Sequence, residues 1–340
     1  MPTYSFKDDY SEGCHPHILK VLASTNLSQQ AAYGEDAYSL KAKALIHEHL
    51  GAPDASIFFV AGGTSANLIV IASCLRPHEA VISADTGHIA SREAGAIEAT
   101  GHKVITVPSP DGKLTPAQIE EALAANAQAP HMAKPRLVYI SNATETGRAY
   151  NRADLTALSE FCRRNTLFLF LDGARLGAAL TASHNDLTLA DITALTDAFW
   201  IGGTKAGALI GEAIIIPDPG LARDLPFHIK QRGAMLAKGR LLGLQFLELF
   251  RDNLYFEACA YANDMARKLA AAFLTKGYSL AAPVETNQLF PVLPDTLIET
   301  LGRDFGFYVW ERHDDSHSVI RMVTSWATDP KQVDAFIAQL

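Results

Sequence analysis

The stretch Leu167-Phe168-Leu169-Phe170-Leu171-Asp172-Gly173-Ala174-Arg175 decides the fold, together with a second one, Ala198-Phe199-Trp200-Ile201-Gly202-Gly203-Thr204-Lys205. Each begins with a short apolar run and ends in a turn that contains glycine and a reactive side chain. Such runs are typical of buried parallel strands. Ligand sites in open α/β sheets lie beyond the carboxyl ends of the strands, so we expect Asp172 and Lys205 to face one site.

This acid and this amine suit the chemistry of pyridoxal phosphate (PLP). A carboxylate pairs with the pyridinium nitrogen of PLP, and a lysine amine forms a Schiff base with its aldehyde. A buried lysine is costly while charged, so Lys205 needs a partner or must lose its charge. The alternative is a lysine whose amine reaches solvent at the rim of the sheet.

The rest of the first two thirds of the chain alternates between strand and helix patterns, which predicts a mostly parallel sheet covered on both faces. The predicted strands are Ile57–Val60, Ala80–Ser83, Val104–Val107, Leu137–Ser141, Leu167–Leu171, Ala198–Ile201 and Leu209–Ile216. The predicted helices are Ser65–Leu75, Pro116–Ala125, Arg152–Arg164 and Leu187–Leu195.

The pattern changes from about Phe227. We therefore expect an α/β protein with a large domain over residues 1–226 and a smaller α+β domain over residues 227–340. Its predicted elements are helices over His228–Phe250 and Tyr255–Lys276, strands over Gln288–Leu293, Phe305–Trp310 and Val319–Thr324, and a last helix near Pro330–Leu340.

Composition limits the partners and the location. The 340 residues carry a net charge of −8 without a block of consecutive lysines or arginines, which argues against nucleic acid or an anionic membrane as a partner. No apolar run reaches the roughly 18 residues of a membrane span, and the first residues lack the apolar core of a secretory signal. No HExxH motif is present, so no metal site is expected. Scattered cysteines without a CxxC pair indicate free thiols in a cytoplasmic protein: Cys14, Cys74, Cys162 and Cys259.

A second glycine turn suggests a phosphate site. Phe58–Asn67 predicts a strand, a turn and a helix that begins near Gly63 and Thr64. Unpaired N–H groups at a helix N-terminus favour anions. A tight turn with a helix cap is the alternative. The GxGxxG and GxxxxGK[ST] nucleotide motifs are absent.

Three further side chains are candidates. His88 follows a predicted strand and suits stacking on a flat ring or acid–base work, unless it is an ordinary loop histidine. Arg175 suits two-pronged binding of an anionic oxygen pair, with a buried ion pair to Asp172 as the alternative. Arg321 lies in an apolar strand pattern and predicts a carboxylate clamp, or else a salt bridge at a strand edge.

The motifs, in this order, resemble those of low-specificity L-threonine aldolases and phenylserine aldolases, in the β-eliminating lyase group of fold-type-I PLP enzymes. The matching residues are Tyr33-Gly34-Glu35-Asp36, Gly63-Thr64-Ser65-Ala66-Asn67, His88 with Glu93-Ala94-Gly95, Asp172-Gly173-Ala174-Arg175, Lys205 and Ile320-Arg321-Met322-Val323-Thr324. Glu145 stands where those enzymes have an active-site histidine.

The resemblance implies a transferase-like fold, PLP as cofactor, and cleavage of the Cα–Cβ bond of L-threonine or phenylserine to glycine and an aldehyde. Lys205 and His88 would be catalytic, and a base near His88 would take the β-hydroxyl proton. The residues implied at the cofactor are Gly63, Thr64, His88, Asp172, Arg175, Thr204, Lys205 and, from a neighbouring chain, Lys230. The residues implied at the substrate are Ser11, Tyr33, Glu145, Arg175 and Arg321.

The resemblance also implies a homodimer or homotetramer with sites at the dimer interface. Other reactions on the same frame remain open, namely β-elimination, racemisation and transamination. A non-catalytic binding protein that keeps the fold is an alternative of another class.

Overall fold

Strands and helices alternate through most of the chain, which a computed structural model describes over residues 3–340. The strands are β1 (Tyr4–Ser5), β2 (Ser56–Val60), β3 (Glu79–Ala84), β4 (Lys103–Val107), β5 (Lys134–Ser141), β6 (Phe168–Asp172), β7 (Ala198–Gly202), β8 (Glu212–Ile216), β9 (Ser279–Leu280), β10 (Gln288–Leu289), β11 (Pro291–Pro294), β12 (Phe305–Gly306), β13 (Tyr308–Arg312) and β14 (His317–Val323).

The helices are α1 (Pro16–Ser24), α2 (Ala37–Leu50), α3 (Gly63–Cys74), α4 (His88–Ser91), α5 (Pro116–Ala125), α6 (Arg152–Arg164), α7 (Leu176–Leu180), α8 (Leu189–Leu195), α9 (Pro219–Ala222), α10 (Leu225–Gln231), α11 (Arg240–Phe250), α12 (Leu254–Thr275), α13 (Asp295–Leu301) and α14 (Pro330–Ala338). Short 3-10 turns lie at Glu98–Thr100, Thr204–Ala206 and Arg251–Asn253.

The central sheet has the strand order β2-β8-β7-β6-β5-β3-β4. All neighbours from β7 to β4 are parallel, whereas β8 runs antiparallel to both β2 and β7. The carboxyl ends of the parallel strands and the amino end of β8 therefore meet at one edge, which we call the carboxyl edge. This arrangement confirms the predicted, mostly parallel sheet.

Both faces of the central sheet are covered, because successive residues of a strand point to opposite faces. Along β6, Leu169 and Leu171 join a core that includes residues of α2 and α11. Phe170, between them, joins the opposite core with residues of α3. Burial on both sides explains why the strand sequence is uninterruptedly apolar.

A second, smaller sheet has the order β10-β14-β11-β9, with β13 also paired to β14. It shares a core with α12, α13 and α14. The start of the chain joins this region, because β1 pairs with β12 and Phe6 is part of the same core. This pairing brings the next residues, Asp9 and Tyr10, to the carboxyl edge of the central sheet.

Two predicted helices, Pro116–Ala125 and Arg152–Arg164, have the predicted bounds. Each begins with a capping box, Thr115 with Gln118 and Asn151 with Asp154, in which side chains satisfy the first free N–H groups of the helix. Because these hydrogen bonds join residues close in sequence, the start of each helix can be predicted from the sequence.

The predicted helix over His228–Phe250 is wrong, since α10 ends at Gln231 and α11 begins at Arg240. Gly233, in the segment between them, has a φ of +71°, which is outside the helical region. A Cβ atom on Gly239 would clash with the backbone of Gly34. The helix is therefore interrupted by a contact with a segment some two hundred residues away.

Three predicted strands also need correction. Leu209–Ile216 contains a strand only from Glu212, Gln288–Leu293 is divided into β10 and β11, and Phe305–Trp310 is divided into β12 and β13. The amphipathic patterns did not predict α1, α2 or α13. The elements predicted from capping or continuous burial were the more accurate ones.

The domain division at residues 226 and 227 stays a prediction. Helix α11 packs against α2 and contributes Phe246 to the core of the central sheet, whereas α12 contributes Phe273 to the core of the smaller one. Within residues 3–340, none of the helices is both long and apolar enough to cross a membrane.

Candidate active site

A cavity of about 380 Å³ opens at the carboxyl edge of the central sheet. Strand ends, the N-terminus of α3 and the turn after β7 form its walls. The sequence-predicted residues that line it are Gly63, Thr64, His88, Glu145, Asp172, Arg175, Thr204 and Lys205. Tyr10, Asn67, Trp200 and Glu212 line it as well.

Lys205 lies in the 3-10 turn that follows β7, and its Nζ lies 5.8 Å from the centre of the Tyr10 ring. Burial and the neighbouring positive charge of Arg175 lower the pKa of this lysine from its ordinary value. A lowered pKa increases the neutral fraction of the amine, which is the nucleophilic form.

Asp172 ends β6 and is only 3% exposed. Its Oδ2 accepts hydrogen bonds from the Tyr139 hydroxyl at 2.6 Å and from the Asn67 amide at 2.9 Å, and its Oδ1 accepts one from the Ala174 backbone N–H at 2.9 Å. All three donors are neutral. The carboxylate is thus fixed in place, and none of its bonds is to a cation.

A chain of hydrogen bonds connects Asp172 to His88. The Asn67 amide also donates to Glu93 Oε1 at 2.8 Å, and its carbonyl oxygen accepts from Trp200 Nε1 at 2.9 Å. Glu93 Oε1 is 2.8 Å from His88 Nδ1. Since a carboxylate only accepts, Nδ1 carries a proton and the His88 ring is held in a fixed orientation at the cavity.

The N-terminus of α3 provides backbone donors at the cavity. Its N-cap, Gly62, has no side chain to satisfy the free N–H groups of the first turn, which begins with Gly63 and Thr64. A Cβ atom on Gly63 would lie 2.8 Å from Cη2 of Trp200, so only glycine lets the indole pack there. The uncapped N–H groups suit an anion.

Glu145 follows β5 and reaches the cavity between His88 and Ser141. Its Oε1 accepts from the His88 backbone N–H at 3.0 Å and from the Ser141 hydroxyl at 2.8 Å. Its Oε2 is buried and has no hydrogen-bond partner within residues 3–340. Burial, and then the negative charge of Asp172, raises the pKa of Glu145.

Glu212, which sequence reasoning missed, begins β8 at the carboxyl edge. Its two oxygens accept from the Gly203 N–H at 2.9 Å and the Thr204 hydroxyl at 2.8 Å, which fixes the turn that carries Lys205. Burial raises the pKa of Glu212 to about 7 despite these bonds. An acidic residue at the start of the apolar run Ala213–Ile216 was the available signal.

Arg175 has a partner that the sequence did not indicate. Its Nε and Nη2 donate to Asp9 at 2.7 and 3.0 Å, and Asn287 donates to the same carboxylate at 2.9 Å. Burial alone would raise the pKa of Asp9, but Arg175, Lys205 and the hydrogen bonds lower it. The ion pair considered between Asp172 and Arg175 is absent from the described residues.

Arg321 does not line the cavity. Its Nε and Nη2 donate to the Gln288 side-chain oxygen at 3.1 and 2.7 Å, and its guanidinium lies 5.6 Å from the centre of the Trp310 ring. Burial, and then the positive charge of Arg175, lowers the pKa of Arg321 to about 10. Because the charge of Arg175, which lines the cavity, affects the pKa of Arg321, we place Arg321 near the cavity although it does not line it.

Three other predicted residues lie apart from the cavity. Ser11 is exposed. Lys230 lies over the ring of Tyr33, with Nζ 4.9 Å from the ring centre, in a separate surface pocket that Phe227 also lines. Within one chain, the structure does not bring these three side chains to Lys205.

Comparison with known proteins agrees with the site. A family model described as beta-eliminating lyase matches residues 8–296. The low specificity L-threonine aldolase of Pseudomonas aeruginosa is 33% identical to this chain over 338 residues, 97% of this chain and 95% of that protein. A more distant relative, the low-specificity L-threonine aldolase of Candida albicans, is 24% identical over 80% of this chain and 74% of that protein.

Solved structures give the same result. A threonine aldolase from Leishmania major has 51% sequence identity and a TM-score of 0.97, and the match covers 98% of both chains. A mutant aspartate aminotransferase from Thermus thermophilus has a TM-score of 0.71 at 13% identity, covering 99% of this chain and 91% of that one, which shows a common fold alone.

Proposed function

The chain belongs to the beta-eliminating lyase family and is a PLP-dependent lyase of fold type I, and we propose that it cleaves L-threonine and related β-hydroxy-α-amino acids to glycine and an aldehyde. The observation that carries the proposal is one cavity lined by Lys205, Asp172, His88 and the free N-terminus of α3. Each of these groups matches one part of the cofactor.

The cavity residues fit PLP. Its phosphate suits the uncapped N–H groups near Gly63 and Thr64, and its ring nitrogen suits the Asp172 carboxylate, whose present donors are all neutral. Thr204 also lines the cavity, but its hydroxyl donates to Glu212 and its backbone N–H donates to the Gly211 carbonyl, so both of its donors are in use in this structure. The half-exposed His88 ring is free to stack.

When bound, PLP supplies an aldehyde that condenses with amines and a ring that withdraws electrons from Cα. Lys205 would hold the cofactor through its neutral amine, which burial favours. Asp172 would keep the ring nitrogen protonated through its negative charge. His88, oriented by Glu93, would stack on the ring.

The substrate carboxylate binds to arginine. A guanidinium has five N–H groups, and Arg175 uses two of them for Asp9, so three remain. Asp9 therefore orients Arg175 and leaves three of its N–H groups for the substrate carboxylate. Arg321 adds a second positive charge, and Ser11 and Tyr33 complete the proposed substrate contacts. A carboxylate held in this way fixes which bond of Cα is aligned for cleavage.

The test is aldehyde release. Purified protein with added PLP is incubated separately with L-threonine and phenylserine, and acetaldehyde or benzaldehyde is measured. The Lys205→Ala variant should lose the visible absorbance of the bound cofactor and the release of aldehyde. Lys276→Ala, an exposed lysine at the end of α12, is the matched control. Full turnover by Lys205→Ala, or ammonia and an oxo acid as products, would refute the proposal.

The assembly and location are proposed as well. We propose a homodimer or homotetramer in which Lys230 contacts the phosphate of a neighbouring chain, since Lys230 lies outside its own cavity next to the exposed Phe227 and Tyr33, 74% and 51% exposed. Sedimentation measures the mass directly. The four free cysteines favour a reducing compartment, the cytoplasm.

A further inference from the structure

We propose that Glu145 is the base that takes the β-hydroxyl proton of the substrate while the Cα–Cβ bond breaks. This inference rests on the proposed function and adds a role to it: the family resemblance places Glu145 at the substrate, in the position of a histidine, but does not make it the base. It is carried by a comparison of three glutamates: Glu145 and Glu212, which line the cavity, and Glu93, which is hydrogen-bonded to His88.

Of these three, Glu145 alone both lines the cavity and has a side-chain oxygen without a hydrogen-bond partner in the described residues. Glu212 lines the cavity, but both of its oxygens accept hydrogen bonds. Glu93 has an unpartnered Oε2, but it does not line the cavity. Glu145 lines the cavity, and its Oε2 has no partner within residues 3–340.

The other oxygen of Glu145 is fixed. The His88 backbone N–H and the Ser141 hydroxyl both donate to Oε1, so the carboxylate cannot rotate without losing two bonds. A buried oxygen without a hydrogen-bond partner is destabilising, the more so when it is charged, and a substrate hydroxyl that donates to it removes that destabilisation. Oε2 of Glu145 can therefore accept a hydrogen bond from a donor that the substrate supplies.

The electrostatic surroundings favour a base. Burial and Asp172 disfavour the negative charge on Glu145, whereas the Ser141 hydrogen bond and His88 favour it, and the net effect is a raised pKa. A base is most effective when its pKa is close to the working pH. The ionisable groups that face Glu145 are Asp172 on β6, His88 on α4, Tyr139 on β5, Tyr150 and Arg175.

The proposed step is balanced. The hydroxyl proton passes to Oε2 of Glu145, the oxygen electron pair left behind forms the C=O bond of the aldehyde, and the electron pair of the Cα–Cβ bond remains with Cα. Cα then takes up one proton and becomes glycine, so the proton gained by Glu145 equals the one that the product requires. His88 is assigned to stacking instead, because Glu93 fixes the orientation of its ring and that ring is the proposed stacking surface for the cofactor.

The experiment compares two reactions of the holoenzyme. In Glu145→Gln, aldehyde release from L-threonine should fall about 10²- to 10⁴-fold, the usual contribution of a positioned base. Exchange of the α-hydrogen of glycine with deuterated water, followed by NMR, should stay close to the wild-type rate because it involves no β-hydroxyl. Glu145→Asp, which keeps a carboxylate, should recover part of the cleavage. Glu120→Gln, an exposed position on α5, is the matched control.

The outcomes separate the two proposals. Equal loss of both reactions, or loss of neither, overturns the role of Glu145. A wild-type protein that performs neither reaction instead overturns the proposed function. If Glu145→Gln does not fold, Ser141→Ala replaces it, because loss of that hydrogen bond raises the Glu145 pKa and should move the acidic limb of the cleavage profile to higher pH. An unmoved limb contradicts the proposal.

A measurement on the cofactor-free protein does not depend on turnover. Because its pKa is raised on folding, Glu145 holds its proton more tightly in the folded state, and its contribution to stability is lost as pH rises above the ordinary value of 4.5. The difference in the free energy of unfolding between wild type and Glu145→Gln should therefore decrease with pH. A difference that does not change with pH contradicts the proposed environment.

Discussion

Asp172 and Asp9 are both almost fully buried near the carboxyl edge of the central sheet, 3% and 1% exposed, yet their charges are balanced differently. Asp9 forms a two-pronged ion pair with Arg175, so its charge is matched within the protein. Asp172 receives hydrogen bonds from neutral groups alone: a phenol, an amide and a backbone N–H. The negative charge of Asp9 is therefore balanced by Arg175, whereas the negative charge of Asp172 is balanced only when a cation occupies the cavity.

This difference distinguishes positioning from chemistry. A buried charge with its own partner orients other groups, as Asp9 orients Arg175. A buried charge that is hydrogen-bonded only to neutral donors destabilises the folded protein, and a protonated ring nitrogen would supply the opposite charge that offsets this. The comparison therefore supports the proposal that Asp172 pairs with the cofactor and that Asp9 orients Arg175, the arginine proposed to bind the substrate.

Among the variants that test this comparison, Asp172→Asn should have the largest effect. This change keeps the size of the side chain but removes the charge that the comparison assigns to the ring nitrogen. Aldehyde release should fall by about 10³-fold, of the order found when one essential electrostatic partner is removed. The visible absorbance of the bound cofactor should shift or weaken in the same variant.

Asp54→Asn, at an exposed position before β2, is the matched control for that change. It should leave both aldehyde release and absorbance as in the wild type. Normal turnover of Asp172→Asn would mean that turnover does not need the negative charge of Asp172. Asp172 and Asp9 would then not differ in function in the way proposed.

Asp9→Asn should instead act mainly on stability. Removal of one member of a buried ion pair leaves Arg175 without its partner, which costs roughly 3–5 kcal/mol in the free energy of unfolding. Urea denaturation measures this cost. KM for L-threonine should also rise, because Arg175 loses its orientation, while the cofactor absorbance should persist. A variant that loses the cofactor but keeps its stability would reverse the comparison.

The position of Asp172 could be predicted from the sequence, and the ion pair of Asp9 could not. Asp172 and Lys205 each end an uninterrupted apolar strand, so their position at the carboxyl edge follows from the sheet alone. The bond from Asp9 to Arg175 joins residues 166 positions apart, through the pairing of β1 with β12. The short strand Tyr4–Ser5 gives no periodic signal that would predict this pairing.

The same distinction applies to the fold. Helices α5 and α6 were predicted with their observed bounds because their capping boxes are local. The interruption between α10 and α11 was missed because it depends on Gly239 packing against Gly34, a contact that no local pattern encodes. Features made by neighbours in sequence are predictable, whereas features made by distant segments need the structure.

Glu212 is a third buried carboxylate, and it extends the comparison with the smallest expected effect. It is bonded to neutral donors as Asp172 is, but it lies beside Lys205, which is itself ionisable. Burial raises the pKa of Glu212 from 4.5 to about 7. The folded protein thus binds this proton more tightly than the unfolded chain, and the resulting stability is present at low pH and is lost as pH rises through that interval.

The free energy of unfolding of the wild type, relative to Glu212→Gln, should fall by roughly 3 kcal/mol between pH 4.5 and about 7. Denaturation of the cofactor-free proteins over this range measures the difference, which stops changing with pH well above 7, where Glu212 is ionised in both states. A difference that grows with pH would mean that Lys205 keeps Glu212 ionised, as Arg175 does for Asp9. Glu212 would then resemble Asp9, whose charge is balanced by a neighbouring cation. An ion pair with Lys205, rather than hydrogen bonds alone, would hold the turn that carries this lysine.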